Sequence, residues 1–398
     1  MKICFVSLYA YPLFEPRMSS PFGGSEVRAW RLGVGLSKLS GNEVCFVVFD
    51  HGQRREERFD QVMVYPHTYY RIQGGSSSLG RVWAKGTRFF RNTLGTSLWI
   101  GDYPIEPRKT RIYEQVRADI YCGFGISPLS AEVAAFCGES GRKFVLFAGS
   151  DVDFSPDLRP DSIKVDPVHG SLRRYTLARA DLVIIQTETQ RKLLYDRFGR
   201  DGIILRSPIN LSGGLPLDVE TPASGKIALW IGKSDKIKRP EILLWLASAF
   251  PQVDFMMVLN RSDPDIHAAI LREKPSNVRM VEWVPFPETE KLFARAFVLI
   301  NTSLFEGFPN TFLEAGKYGV PLLSFEIDPE GFIEKHSCGI TAQGSFDRFA
   351  KALDRIRSDY DLYGLFSRNV RRYTEQHHAL DDKIQQLSHL LEELNARG

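Results

Sequence analysis

Glu306 and Glu314 frame the stretch best equipped for chemistry, E-G-F-P-N-T-F-L-E. A carboxylate accepts two neighbouring hydroxyls in charge-assisted hydrogen bonds, so this pair could hold two hydroxyl-rich groups in one pocket, ribose at one and a hexose at the other. The apolar run Val298–Asn301 precedes it as a strand candidate, and Pro309 suits the first helical turn, where its missing N–H has no intrahelical partner. The positive end of that helix would stand beyond a strand's C-terminal edge, where open α/β sheets bind ligands and a phosphate is stabilised. Gly307 would let the backbone approach a ligand closely. The plainer alternative is a buried helix with Glu306 as a favourable N-terminal charge and Glu314 in solvent. E-x7-E alone is weak, and its weight comes from its place after a strand beside Gly307, Pro309 and Asn310.

Lys233 and Lys238 follow the strand candidate Lys226–Ile231; the plainer reading is a solvated polar loop, but their spacing and their place after a strand favour a phosphate. Gly23-Gly24-Ser25 precede a helix expected from Glu26, so their N–H groups could meet a phosphate or an acceptor, unless the turn is ordinary and Ser25 is its N-cap. Asp151 and Asp153 form D-x-D after another strand candidate. They could bind acceptor hydroxyls, cap a helix or solvate the loop, and no metal is assigned to them. In 79–99, Arg81, Lys85, Arg88 and Arg91 mix with Trp83, Phe89 and Phe90. That composition suits peripheral contact with anionic lipid, or aromatics packed inward with charges in water, and Gly86 and Gly95 weaken any helix there.

Short apolar, β-branched runs must position these residues: Ile3–Leu8, Val44–Phe49, Gln61–Tyr65, Asp119–Gly123, Phe144–Ala148 and Leu182–Thr187. Amphipathic helices are expected between them at Glu26–Leu39, Ile105–Arg117, Ala131–Glu139 and His169–Ala180, the alternation of a parallel sheet covered on both faces. A Pro/Gly/Ser/Thr-rich connection follows Ser207, and the alternation restarts with strands at Lys226–Ile231, Asp254–Leu259, Val278–Trp283, Phe297–Asn301 and Pro321–Ser324. The expected division is one α/β domain over 1–207, a second over 208–370 and a helical tail over 371–398. That tail could pack back on the first domain or stand exposed.

With 398 residues, 43% hydrophobic and 25% charged, the chain has apolar material for two cores. Its net charge of +3, from 51 basic and 48 acidic residues, gives no reason to expect nucleic acid as a partner. Cys4, Cys45, Cys122, Cys137 and Cys338 show no C-x-x-C pair and read as reduced core residues. The N-terminus reads as a buried strand rather than a secretory signal, and no segment reaches the roughly 18 apolar residues of a bilayer span, so a soluble cytoplasmic protein is expected.

Over most of its length the sequence resembles the retaining GT-B glycosyltransferases, especially glycosyltransferase family 4. The resemblance rests on EGFPNTFLE, on LWIGKSDKIKRPEILL and on the glycine-rich turn after the first strand. In G-R-x4-K, Lys233 stands for the usual arginine and keeps its charge without its planar fork. The resemblance implies two Rossmann-like domains around a cleft, 1–207 on the acceptor side and 208–370 binding the donor. It also implies metal-independent transfer of a hexose, without a cofactor, from a nucleotide-sugar to a glycan, lipid-linked or small acceptor in surface polysaccharide or glycoconjugate synthesis. Lys233, Lys238 and Glu306 would serve catalysis, and Gly232, Gly307, Phe308, Pro309, Asn310, Thr311 and Glu314 would bind the donor. Two cations and a helix terminus can stabilise a departing diphosphate, which agrees with that assignment. The sequence departs from the family where DIYCGFGISP replaces a frequent histidine, and His169 does not substitute for it. An epimerase or phosphorylase of the same fold, or a non-enzymatic sugar-binding protein, are the alternatives.

Overall fold

The computed structural model describes residues 1–18, 20, 22–53, 55–71, 98–100, 103–155, 170–213 and 226–397. The first part of the chain supplies β1 (Lys2–Val6), β2 (Glu43–Asp50), β3 (Glu57–Phe59), β4 (Val62–Arg71), β5 (Leu98–Ile100), β6 (Tyr103–Ile105), β7 (Ile120–Phe124), β8 (Lys143–Phe147), β9 (Leu182–Ile185) and β10 (Ile203–Ile204). Eight of these form one sheet in the order β10-β9-β8-β7-β1-β2-β4-β3, parallel except for β3 against β4, while β5 and β6 pair as a hairpin. The second part supplies β11 (Ile227–Lys233), β12 (Phe255–Asn260), β13 (Val278–Val281), β14 (Ala296–Asn301), β15 (Leu322–Ser324) and β16 (Gly339–Thr341). They form a wholly parallel sheet in the order β13-β12-β11-β14-β15-β16.

The central strands are buried on both faces, which explains why they read as unbroken apolar runs. In each sheet the chain first builds outward on one side of its opening strand and then returns to the other side. The direction therefore reverses between β1 and β7, and again between β11 and β14. Crevices outside such reversals are where α/β sheets place ligands.

Two helices of ten residues or more escaped the sequence reading, Glu188–Phe198 and Pro264–Glu273. Each buries only two side chains, Gln190 with Leu194 and His267 with Ile270, so apolar periodicity is faint in both. Their caps are explicit: the Thr187 side chain accepts from the Gln190 N–H, and that of Asp263 from the Asp265 and Ile266 N–H groups. β4 runs past the expected Tyr65, still paired with β2 at Pro66, His67 and Arg71, and its Tyr70 hydroxyl donates to buried Glu132, which also pairs with Lys109 at 2.8 Å. All five cysteines are buried and free. The basic, aromatic stretch falls outside the described residues through 97, and no helix among the described residues is long and apolar enough to cross a membrane.

The C-terminal segment is two helices. Tyr360–His378 lies against Asn310–Lys317, so tightly that a Cβ on Gly316 would be 1.9 Å from Thr374 Oγ1. At Ala379 the chain crosses back: Ile209 N–H donates to the His378 carbonyl at 2.8 Å, and Leu380 N–H to that of Ile209 at 3.0 Å. Leu380–Ala396 then packs on Gly24–Ser37, its Ile384, Leu387 and Leu391 buried in one cluster with Leu32 and Leu36. Ile384 fills the notch left by Gly35, where a Cβ would sit 2.4 Å from its Cδ1. Ile384→Ala should therefore cost about 2–5 kcal/mol, read as a lower urea midpoint.

Candidate active site

Between the two sheet reversals lies a cleft of about 380 Å³ lined from both domains. On the second domain, β11 ends at Gly232 and Lys233, and the next loop turns on Asp235, whose Oδ1 accepts the Ile237 and Lys238 N–H groups at 3.0 and 2.8 Å. Thr302, just after β14, donates its hydroxyl to the Lys238 carbonyl at 2.6 Å and accepts the Trp230 indole N–H at 2.9 Å. Arg239, in the left-handed region at φ 47°, donates to the Thr302 and Ser303 carbonyls at 2.8 and 3.0 Å. The loops after β11 and β14 are thus one unit, which sets the Lys238 ammonium against Glu306 in an ion pair. Glu306 also accepts the Ser303 hydroxyl at 2.8 Å. Gly232 has a packing reason to be glycine, because a Cβ there would lie 2.6 Å from the Trp230 ring.

On the first domain, the Gly24–Ser37 helix starts at the glycine turn. Its N-cap is Gly23 and not Ser25: Glu26 reaches back to accept the Gly23 N–H at 2.7 Å and the Ser25 hydroxyl at 3.0 Å. One N–H that the sequence offered to a phosphate is therefore already bound. Lys233 comes in from the other domain, its Nζ 3.6 Å from where a Gly23 Cβ would be. Asn310 donates its amide to the Gly24 carbonyl at 2.7 Å, tying the second domain's helix start to that turn. Gly307 meets the first domain at its backbone, since a Cβ would lie 2.7 Å from the Gly149 carbonyl oxygen.

Glu314 is neither a solvated helix residue nor a free acceptor. It is 6% exposed and forms an ion pair with Arg31 of the first domain, which is 7% exposed. Arg31 also donates to the Pro208 carbonyl at 3.1 Å and lies over Phe286, 5.5 Å from the ring centre. Removing one partner of a buried ion pair costs about 3–5 kcal/mol, because the other charge stays behind uncompensated. One turn earlier, Arg28 is 3% exposed and donates to the Ala148 and Leu205 carbonyls, both at 2.9 Å. Burial pulls its guanidinium down to about 9. Sequence reasoning passed over both arginines. Their signal was a pair three residues apart on a helix whose neighbours Val27, Ala29 and Leu32 are all apolar. It also missed the aromatic wall of Phe22, Trp283 and Phe286.

The remaining expected residues divide. Pro309 and Thr311 line the cleft, and the helix begins at Asn310, one residue past the proline. Phe308 borders the cleft while its ring packs in a cluster, 5.0 Å from Phe332 and 4.7 Å from His378. Asp151 and Asp153 stand apart from it. Asp153 accepts N–H groups of Ile126 at 3.1 Å, Gly149 at 2.7 Å and Ser150 at 3.2 Å, so it braces the loop of DIYCGFGISP against that of D-x-D. Asp151 lines a neighbouring cavity of about 270 Å³ with Glu330, on the second domain. Burial, with the Asp153 and Glu330 charges, pushes the Asp151 carboxyl up to about 6.

Residues 225–359 match the family described as Glycosyl transferases group 1. The match makes the second sheet and its helices a group 1 glycosyltransferase-like domain, about a third of the chain. That domain contains β11 to β16, both lysines and both glutamates of the cleft. Among curated proteins, Glycosyltransferase 1 domain-containing protein 1 of Xenopus tropicalis is 26% identical over 107 residues, 27% of this chain and 31% of that relative, so the match spans under a third of the relative's length. Among solved structures, sucrose-phosphate synthase from Thermosynechococcus elongatus superposes with a TM-score of 0.75 at 16% identity, covering 100% of both chains. HepE of Anabaena, in complex with UDP and glucose, gives 0.69 at 15% identity over 99% of this chain and 100% of that one. The fold around the group 1 domain is GT-B.

Gly307→Ala should wedge the domains apart at Gly149, raising the radius of gyration in solution scattering while circular dichroism stays unchanged. A second expectation follows from Asp151. Between about 4 and about 6 its folded carboxyl keeps a proton that the unfolded one has lost, so stability falls as pH rises through that window. Asp151→Asn should remove this contribution, gaining on the wild type from pH 4 to 6 in urea titrations.

Proposed function

We propose that this protein transfers a hexose, with retention, from a nucleoside diphosphate sugar to an acceptor hydroxyl, in glycoconjugate or surface polysaccharide synthesis. The observation that carries the proposal is the convergence of Lys233, Lys238, Glu306 and the start of the Asn310–Lys317 helix on one cleft between two sheet reversals. Rate in such a transfer comes from stabilising charge that grows on the diphosphate as the glycosidic bond breaks. Lys233 and Lys238 supply two cations beside that helix terminus, and they lie on rigid supports rather than on free loops. The proposed transfer is metal-independent, with the lysines doing the work that a divalent ion does elsewhere. In this reading Glu306 takes hexose hydroxyls and Glu314 ribose hydroxyls. The presence of UDP and glucose in HepE, of the same fold, supports a donor of this class.

The acceptor would enter from the first domain, and closure of the cleft would exclude water from the reacting carbon. A lipid-linked acceptor at the inner face of a membrane, met through 79–99, belongs to the same proposal and is supported by composition alone. A panel of nucleotide-sugars, read by thermal stabilisation and by product analysis, tests the reading, since a bound donor raises stability by mass action. Lys238→Ala should lower turnover on the order of a hundred-fold or more with the fold intact. A variant that retains turnover would remove Lys238 from the mechanism, and strict dependence on Mn²⁺ or Mg²⁺ would refute the metal-independent step.

A further inference from the structure

Arg31 is a buried first-domain residue whose guanidinium packs against two second-domain residues of the cleft wall, Glu314 and Phe286. Three contacts hold it: the ion pair with Glu314, the hydrogen bond to the Pro208 carbonyl at 3.1 Å, and the face of Phe286. Pro208 belongs to the connection between the domains, and both Phe286 and Glu314 line the cleft. An arginine so placed senses the connection, the cleft wall and the carboxylate at once. From these contacts we infer that Arg31 is a positioning residue of the donor site, which makes donor binding conditional on domain closure. The inference rests on the donor site proposed above.

The physical reason is charge. A carboxylate can accept two neighbouring sugar hydroxyls only if it is ionised and fixed in direction. Glu314 is almost wholly buried and faces the space proposed for a diphosphate sugar, which carries negative charge of its own. Alone there, it would be both poorly solvated and repelled. Arg31 neutralises one of its oxygens and fixes the side chain, leaving the second oxygen for a hydroxyl. When the domains part, Arg31 leaves with the first domain, and the carboxylate becomes unfavourable toward the donor. Closure and donor affinity are then two readings of one ion pair, reciprocal as any such coupling must be.

The test uses the full chain with UDP, GDP, ADP and dTDP as probes, keeping whichever stabilises the wild type against heat. Arg31→Ala should weaken that nucleotide on the order of ten-fold or more, and raise KM for the matching nucleotide-sugar by a similar factor while kcat and acceptor KM change less. Arg31→Lys, which keeps the charge but not the fork, should recover part of the affinity and guards against loss of fold in the alanine variant. Glu314→Gln should cost much less in the Arg31→Ala background than in the wild type. Equal nucleotide affinity in wild type and both Arg31 variants would overturn the inference and leave the glycosyltransferase reading standing. If none of the four nucleotides stabilises the wild type, that reading fails and the inference with it.

Discussion

A buried charge in a protein needs its counter-charge within reach, and in this fold the counter-charges of the cleft lie on different parts of the chain. Glu314 is answered by Arg31 across the domain boundary, and Glu306 by Lys238 from a neighbouring loop. At the far side Glu330, itself in a left-handed conformation at φ 58°, accepts the Glu188 N–H at 2.7 Å and the Arg206 guanidinium at 2.6 Å. The Glu314–Arg31 and Glu330–Arg206 pairs bring two separately cored domains into one arrangement, while the Glu306–Lys238 pair stays within the second. They do so with polar contacts that a ligand can compete for, rather than with apolar area that it could not displace.

The consequence reaches the chemistry. Lys238 and Glu306 are tied through Thr302, Ser303 and Arg239 to the ends of β11 and β14, so the groups proposed to handle leaving group and sugar share one rigid base. Gly307 and Asn310 press that base against the first domain at Gly149 and Gly24. A transfer that must orient an acceptor hydroxyl on one domain toward an anomeric carbon on the other gains from such close registration, because proximity counts only when both partners are held.

The C-terminal helices serve the same end by another route. Tyr360–His378 belongs to the second domain and Leu380–Ala396 to the first, and the crossing at Ala379 runs beside Ile209 on the outgoing connection. Two chain crossings hydrogen-bonded side by side limit the ways one domain can turn relative to the other. Buried His378 bonds the Ser207 carbonyl at 2.7 Å through Nδ1, and its burial lowers its affinity for a proton to about 3, so this joint stays uncharged at any ordinary pH.

Much of this was legible in the residues. Two runs of β-branched strands separated by helices could only become two parallel sheets, because strands buried on both faces need apolar residues at every position. The motif around Glu306 and Glu314 and the lysines at 233 and 238 marked one face of the cleft, since they fall where strands end and a helix begins, the edge at which such sheets bind ligands. What the sequence left open was which charge meets which. Whether Glu314 faced solvent or a partner, whether Asp153 met an acceptor or braced a loop, and whether Gly23 offered its N–H or gave it to Glu26 all turned on residues distant in the chain. Arg31 and Glu314 are 283 positions apart, and no local periodicity carries information over that distance. Element type is set by neighbours a few residues away and was readable; ion pairing is set by how the two domains pack, and only the tertiary structure decided it.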